Sequence, residues 1–114
     1  MKLSTLTKLI GLSTLAVAFS SAAYAAVDAD AASALVKKSG CLKCHAVDKD
    51  KKGPALKKIA TKFKAKADGE AQIISAITKS PKVKMADGSE EEHKAIDSKD
   101  AAEIKNVAGW ILSQ

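Results

Sequence analysis

Beyond residue 26 the apolar positions of this chain recur at helical intervals, and nowhere do they alternate as a half-buried strand would. Ala29, Ala32, Leu35 and Val36 share a face in a segment that opens with Asp28 and Asp30 and closes with Lys37, Lys38 and Gly40. Acids at the start and bases with a glycine at the end complement the dipole and the termini of a helix. Pro54 suits the first turn of a second helix, in which Ile59, Ala60 and Phe63 follow Leu56 at steps of 3, 4 and 7. Its other face carries Lys57, Lys58, Lys62 and Lys64, a solvated surface. Asp68 and Gly69 introduce a third helix through Ile73, Ile74 and Ile77, stopped by Ser80 and Pro81. Residues 82–96 are charged and aperiodic and read as a long loop. Asp97 or Ser98 then caps a last helix whose stripe is Ala101, Ile104, Ala108 and Ile111, flanked by Val107 and Trp110. The pattern predicts an all-α domain of about four helices over 26–114.

Residues 1–25 have a different pattern. Lys2 and Lys8 precede an apolar run from Leu9 to Ser20, and Ala23, Tyr24 and Ala25 offer small residues around a cleavage point. This is the layout of a secretory signal peptide cut near Ala25, and the run is too short to span a bilayer. The expected location is therefore the periplasm, with no stable membrane insertion once the signal is removed. Cleavage there would leave 17 lysines against 13 acids, a formal charge of +4. Lysines and acids are interspersed instead of forming a basic block, so nucleic acid is not an expected partner. Only Phe63 and Trp110 remain as aromatics, and so small a domain needs another apolar body to complete its core.

The chemistry lies in Cys41, Leu42, Lys43, Cys44 and His45, a CxxCH motif that reads as covalent haem attachment. Two thiols one short turn apart can reach the two vinyl groups of a porphyrin, and the adjoining imidazole then serves the iron as its fifth ligand. Zinc would call for four Cys or His ligands, and the only histidine besides His45 is the distant His93. A thioredoxin-like dithiol would follow a strand, whereas this motif follows a helix.

With its first helix, CxxCH, Gly53 and Pro54 leading into a helix, and a last helix bearing Trp110, the mature chain resembles a small class I bacterial cytochrome c. The resemblance implies four helices wrapped around one haem c, with Leu35 and Val36 against Ile104, Val107 and Ala108 where the first and last helices cross. It also implies that the Pro54 carbonyl accepts from His45 and orients the ring. In that family a methionine normally closes the iron, and Met85 is the only one outside the signal, which makes it the preferred sixth ligand. His93 is the alternative. The ligand usually precedes the last helix's aromatic by roughly 15 to 20 positions, and Met85 precedes Trp110 by 25 whereas His93 precedes it by 17. Against that, His93 stands among Glu90, Glu91, Glu92 and Lys94, the setting of a solvated histidine.

No acid, base and nucleophile set accompanies the motif, so the implied role is that of an electron carrier and not an enzyme. Its partners would be redox proteins, met through a rim of lysines such as Lys37, Lys38, Lys43, Lys82 and Lys84 that suits acidic docking surfaces. A dedicated haem subunit of a periplasmic dehydrogenase, and a haem enzyme or gas sensor with an open sixth position, are the other roles the sequence allows.

Overall fold

The Asp28 carboxylate accepts the Ala31 amide at 3.0 Å and so starts α1 (Ala29–Lys38), the first element of a computed structural model that describes residues 26–114. The signal peptide expected over 1–25 lies outside the described residues. Ser39 caps the far end of α1, and Gly40, at φ 75°, takes the left-handed conformation that turns the chain into a single 3₁₀ turn at Cys41–Lys43. Helix α2 covers Leu56–Lys64, and α3 covers Gly69–Lys79 and ends at Ser80 in the left-handed region just before Pro81. After a short hairpin, α4 runs from Ala101 to Leu112.

Helix α4 is the hub, packing against α1, α2 and α3. Ala32 and Val36 of α1, Ile73 and Ile77 of α3, Ile96, and Val107, Ala108 and Ile111 of α4 form one buried cluster. Leu35, Ile104 and Trp110 pack against its margin, so the crossing of first and last helices has the expected composition. Ala32 at 1% and Ala108 at 0% exposure show small residues where helices need close approach. Val107, 1% exposed, is the largest side chain fully enclosed, and burying it stabilises the fold by roughly 1.5–3 kcal/mol. A polar clasp reinforces the crossing: the Asn106 amide accepts from the Asp28 N–H and donates to the Asp28 carbonyl, both at 2.8 Å.

Three details depart from expectation, each for a local reason. Pro54 is not in the first turn of α2, because Ala55 is the cap and Pro54 precedes it. The last helix is capped by Asp100, whose carboxylate accepts the Glu103 amide at 2.9 Å. Asp97 is already engaged, its carboxylate with Lys38 at 3.1 Å and its amide with the buried Ser39 hydroxyl at 2.8 Å, while the Ser98 hydroxyl donates to Glu103. The expected loop over 82–96 contains an antiparallel hairpin, β1 (Lys82–Lys84) with β2 (Glu90–Glu92). Strands of three residues with a single apolar side chain, Val83, are too short to show a period. Their register sets Lys82 opposite Glu92 and Lys84 opposite Glu90. Asp87 and Gly88 were the available signal: Gly88 sits at φ 87°, and the Asp87 carboxylate accepts the Ser89 amide at 2.9 Å.

Candidate haem-binding site

From Cys41 to Leu56 the backbone closes repeatedly on itself. The Cys41 carbonyl accepts from the amides of Cys44 and His45 at 3.2 and 3.0 Å, which bends the motif into one tight turn. His45 and Asp50 then pair as an isolated antiparallel bridge, and the Gly53 amide donates to the Cys44 carbonyl at 2.7 Å. The amides of Leu56 and Lys57 donate to Ala46 and Val47 at 2.9 and 3.1 Å, docking the start of α2 on the loop. Asp50 adds a side-chain staple, its carboxylate accepting from the Ala55 amide at 2.8 Å and from the Lys58 ammonium. These hydrogen bonds hold the Asp50 carboxyl below the usual carboxylate range, Lys58 contributing most and Ala55 next.

This network delivers the Pro54 carbonyl to His45 Nδ1 at 2.7 Å. A carbonyl only accepts, so Nδ1 carries the proton and the Nε2 lone pair is left free for a metal. Gly53 makes the placement possible, because a Cβ there would lie 2.6 Å from His45 Cε1 and 2.9 Å from Nδ1. A ring pinned by Pro54 cannot move aside.

Beside this turn lies a cavity of about 480 Å³, within the range of roughly 300–1,000 Å³ that cofactor sites occupy. Leu56, Ile59, Phe63, Ile73, Val107 and Ile111 supply much of its apolar wall. Cys41, Cys44 and His45 line it together, as do Met85 and His93 from the opposite side. Neither half-buried cysteine forms a disulfide. Burial pushes the Cys41 thiol up, with its own backbone and Lys94 opposing, which disfavours the thiolate that a dithiol exchange catalyst needs.

His93 lies against the cavity, with its ring centre 6.0 Å from that of His45 and the planes tilted by 50°. Its Nδ1 is buried with no hydrogen-bond partner. Desolvation, then the charge of His45, pulls its pKa down, and the nearby carbonyls of Ala76 and Lys94 pull weakly the other way. Burial therefore favours the neutral form of the ring. Met85 sits at the hairpin turn, its amide donating to Ser89 at 2.7 Å and its carbonyl accepting from Gly88 at 3.0 Å. At the cavity mouth Lys43 and Lys84 are joined by Lys52 and Lys94, two lysines the sequence reading passed over, and by Glu91 and Glu92. Lys37, Lys38 and Lys82 do not line it.

The residues fit a haem: two thiols on one turn, an imidazole with one nitrogen free, and an apolar cavity large enough for a macrocycle. Cys41 and Cys44 would hold it and His45 would ligate its iron. Four helices around such a cavity, with a CxxCH turn at its edge, define a c-type haem-binding domain.

Comparison with known proteins agrees. Residues 29–114 match the cytochrome c family model, and the chain belongs to the cytochrome c family. It is 33% identical over 103 residues to cytochrome c-552 of Nitrosomonas europaea, covering 81% of this chain and 82% of that protein. It is 32% identical over 80 residues to cytochrome c-551 of Pseudomonas aeruginosa, with 70% and 73% covered. Among solved structures, the class 1 cytochrome MtoD from Sideroxydans lithotrophicus ES-1 superposes with a TM-score of 0.73 at 52% identity, covering 77% of this chain and 97% of MtoD. Wild-type Nitrosomonas europaea cytochrome c552 gives 0.56 at 31% identity, with 71% and 96% covered. The protein accordingly carries one covalently attached haem c and has the mainly helical cytochrome c fold.

Proposed function

We propose that this protein is a diffusible electron carrier of the periplasm, exported by residues 1–25 and working as the mature domain 26–114. The observation that carries the reading is the convergence of Cys41, Cys44 and a Pro54-oriented His45 on one apolar cavity. The haem supplies one-electron exchange at its iron, and the chain supplies attachment, a fixed ligand and an environment that excludes water. Cys41 and Cys44 bear the thioether bonds. Pro54, by accepting from Nδ1, fixes the imidazole tautomer and raises its basicity toward the metal. Among the described residues no helix is long and apolar enough to cross a membrane.

The exposed lysines that line the cavity, Lys43, Lys52, Lys84 and Lys94, would lie close to a haem held there and to the route by which its electrons are exchanged. Positive charge there steers an acidic redox partner into a brief encounter, the kind of small interface electron carriers use. Glu91 and Glu92 at the same mouth set the orientation by repelling the wrong part of that partner.

Expression with haem-ligation machinery tests the assignment. The mature protein should be red, begin near Ala26, and have the mass of the polypeptide plus one haem. Replacing both Cys41 and Cys44 with serine should leave a chain of bare polypeptide mass. A colourless wild type would end the reading. Electron transfer to an acidic partner should slow steeply with added salt, and a flat response would remove the steering role of the lysines.

A further inference from the structure

The geometry points to His93, and not Met85, as the sixth ligand of the iron, so that two imidazoles face one metal. The inference rests on haem being attached at Cys41 and Cys44 with His45 beneath the iron.

The first observation is distance. An imidazole nitrogen bonds a first-row metal at about 2 Å, and the ring centre lies ~1 Å behind that nitrogen. Two imidazoles on opposite sides of one ion therefore have their centres about 6 Å apart, and the rings of His45 and His93 are 6.0 Å apart. The line between them has space for one ion and for no third ligand. A methionine sulfur would have to displace the His93 ring to reach the same position.

The second observation is the burial of His93. Its Nδ1 is enclosed without a hydrogen-bond partner, and a polar atom removed from water is costly to leave unpaired. No ion pair with Glu90, Glu91, Glu92 or another acid draws the ring there; among the described residues the ion pairs are Lys38 with Asp97, Lys57 with Asp48, and Lys58 with Asp50. Metal binding through one ring nitrogen fixes the other as N–H.

The third observation is how each candidate is held. In the hairpin register Pro81 faces His93 and Met85 faces Ser89, so both candidates stand on the face that also carries Val83. They stand at opposite ends of it, roughly 13 Å apart along the strand at about 3.3 Å per residue. His93 is at the base. Its amide donates to the Pro81 carbonyl at 2.8 Å, and the Ile96 amide donates to Ile77 of α3 at 2.9 Å, which moors this stretch to the helical core. Met85 is at the free tip, in a turn whose flanking residues Lys84 and Ala86 are exposed.

Spectroscopy of the holoprotein decides the matter. Ferric wild type should be low-spin, should lack the weak red charge-transfer band of methionine-ligated haem, and should show the near-infrared magnetic circular dichroism band of paired imidazoles. Met85→Leu should leave both spectra unchanged. His93→Ala should become high-spin, should bind carbon monoxide at once when reduced, and should regain the low-spin spectrum on addition of free imidazole. If His93→Ala fails to accumulate, the wild-type and Met85→Leu spectra still decide. A red band in wild type that Met85→Leu abolishes would overturn the inference, and so would a high-spin wild type that binds carbon monoxide directly. Either result leaves attachment intact, whereas a protein of bare polypeptide mass defeats the attachment on which the inference depends.

Discussion

The cavity has two polar walls, and they are built by different means. On the wall around His45, the backbone between Cys41 and Leu56 ties itself down at nearly every turn, and a carboxylate and a proline carbonyl complete the job. On the facing wall, a hairpin of three-residue strands exposes most of its side chains and reaches the helices chiefly through its base at Pro81, His93 and Ile96. A hairpin of that size has little stability of its own. The first wall is specified by local hydrogen bonds between neighbours in sequence, and they orient its imidazole. The second takes its position from α3 and α4, and its imidazole has an enclosed nitrogen with nothing to hold. Strain or loss of contacts should therefore spread through the protein from the first wall and stay local in the second.

The sharpest way to break this contrast is to add one methyl group to each wall. Gly53→Ala places a carbon 2.6 Å from His45 Cε1, against a ring fixed by Pro54. It should destabilise the holoprotein by about 1–3 kcal/mol, the usual cost of overpacking. A denaturant midpoint measured at constant slope would register it, with reduced haem incorporation during expression. Gly88→Ala meets nothing within 4 Å, so its cost is conformational only, arising from φ 87°. That is about 1 kcal/mol, and it should appear as faster amide exchange at Met85 and Gly88 while the global midpoint moves less than for Gly53→Ala. Equal global losses for the two variants would mean that the hairpin unfolds with the core and that the contrast is wrong.

The smallest effect concerns acid. The Asp50 side chain is about half exposed, and its carboxyl is held below its ordinary value by Lys58 and the Ala55 amide. Its folded-state pKa is depressed, so its contribution is fully present above the unfolded carboxyl value of about 4 and is lost as pH falls through the folded value. Asp50→Asn should thus lower stability slightly at neutral pH and flatten the decline below about pH 4. Thermal midpoints of the two proteins across that window, at low salt, provide the check. Curves that stay parallel down through the acid range would show that the staple contributes nothing to ordering the Pro54 loop.

The four helices were legible because each carries its own evidence: a stripe at helical spacing, charges matched to its ends, and glycine or proline at its limits. The candidate attachment residues were legible for a similar reason, since the motif compresses two thiols and an imidazole into one turn. Caps were less so. Asp97, Ser98 and Asp100 are equally good N-cap residues by type, and the choice fell to Asp100 only because Lys38 and Ser39 of a distant helix engage Asp97. The hairpin was hidden because its three-residue strands carry charged side chains around a single valine, which leaves no mark on a hydrophobic pattern.

What the sequence determined by itself is the chemistry that depends on neighbours: helix faces and the turn that brings two thiols and an imidazole together. Only the tertiary structure decided what faces that ring. Met85 and His93 occupy the same stretch of chain, and residue type ranks Met85 first whereas spacing to Trp110 ranks His93 first. The register of the hairpin and the mooring of its base on α3 bring one imidazole 6.0 Å from the other. Distance across a cavity is set by how separate elements pack, and one-dimensional order carries no direct record of it.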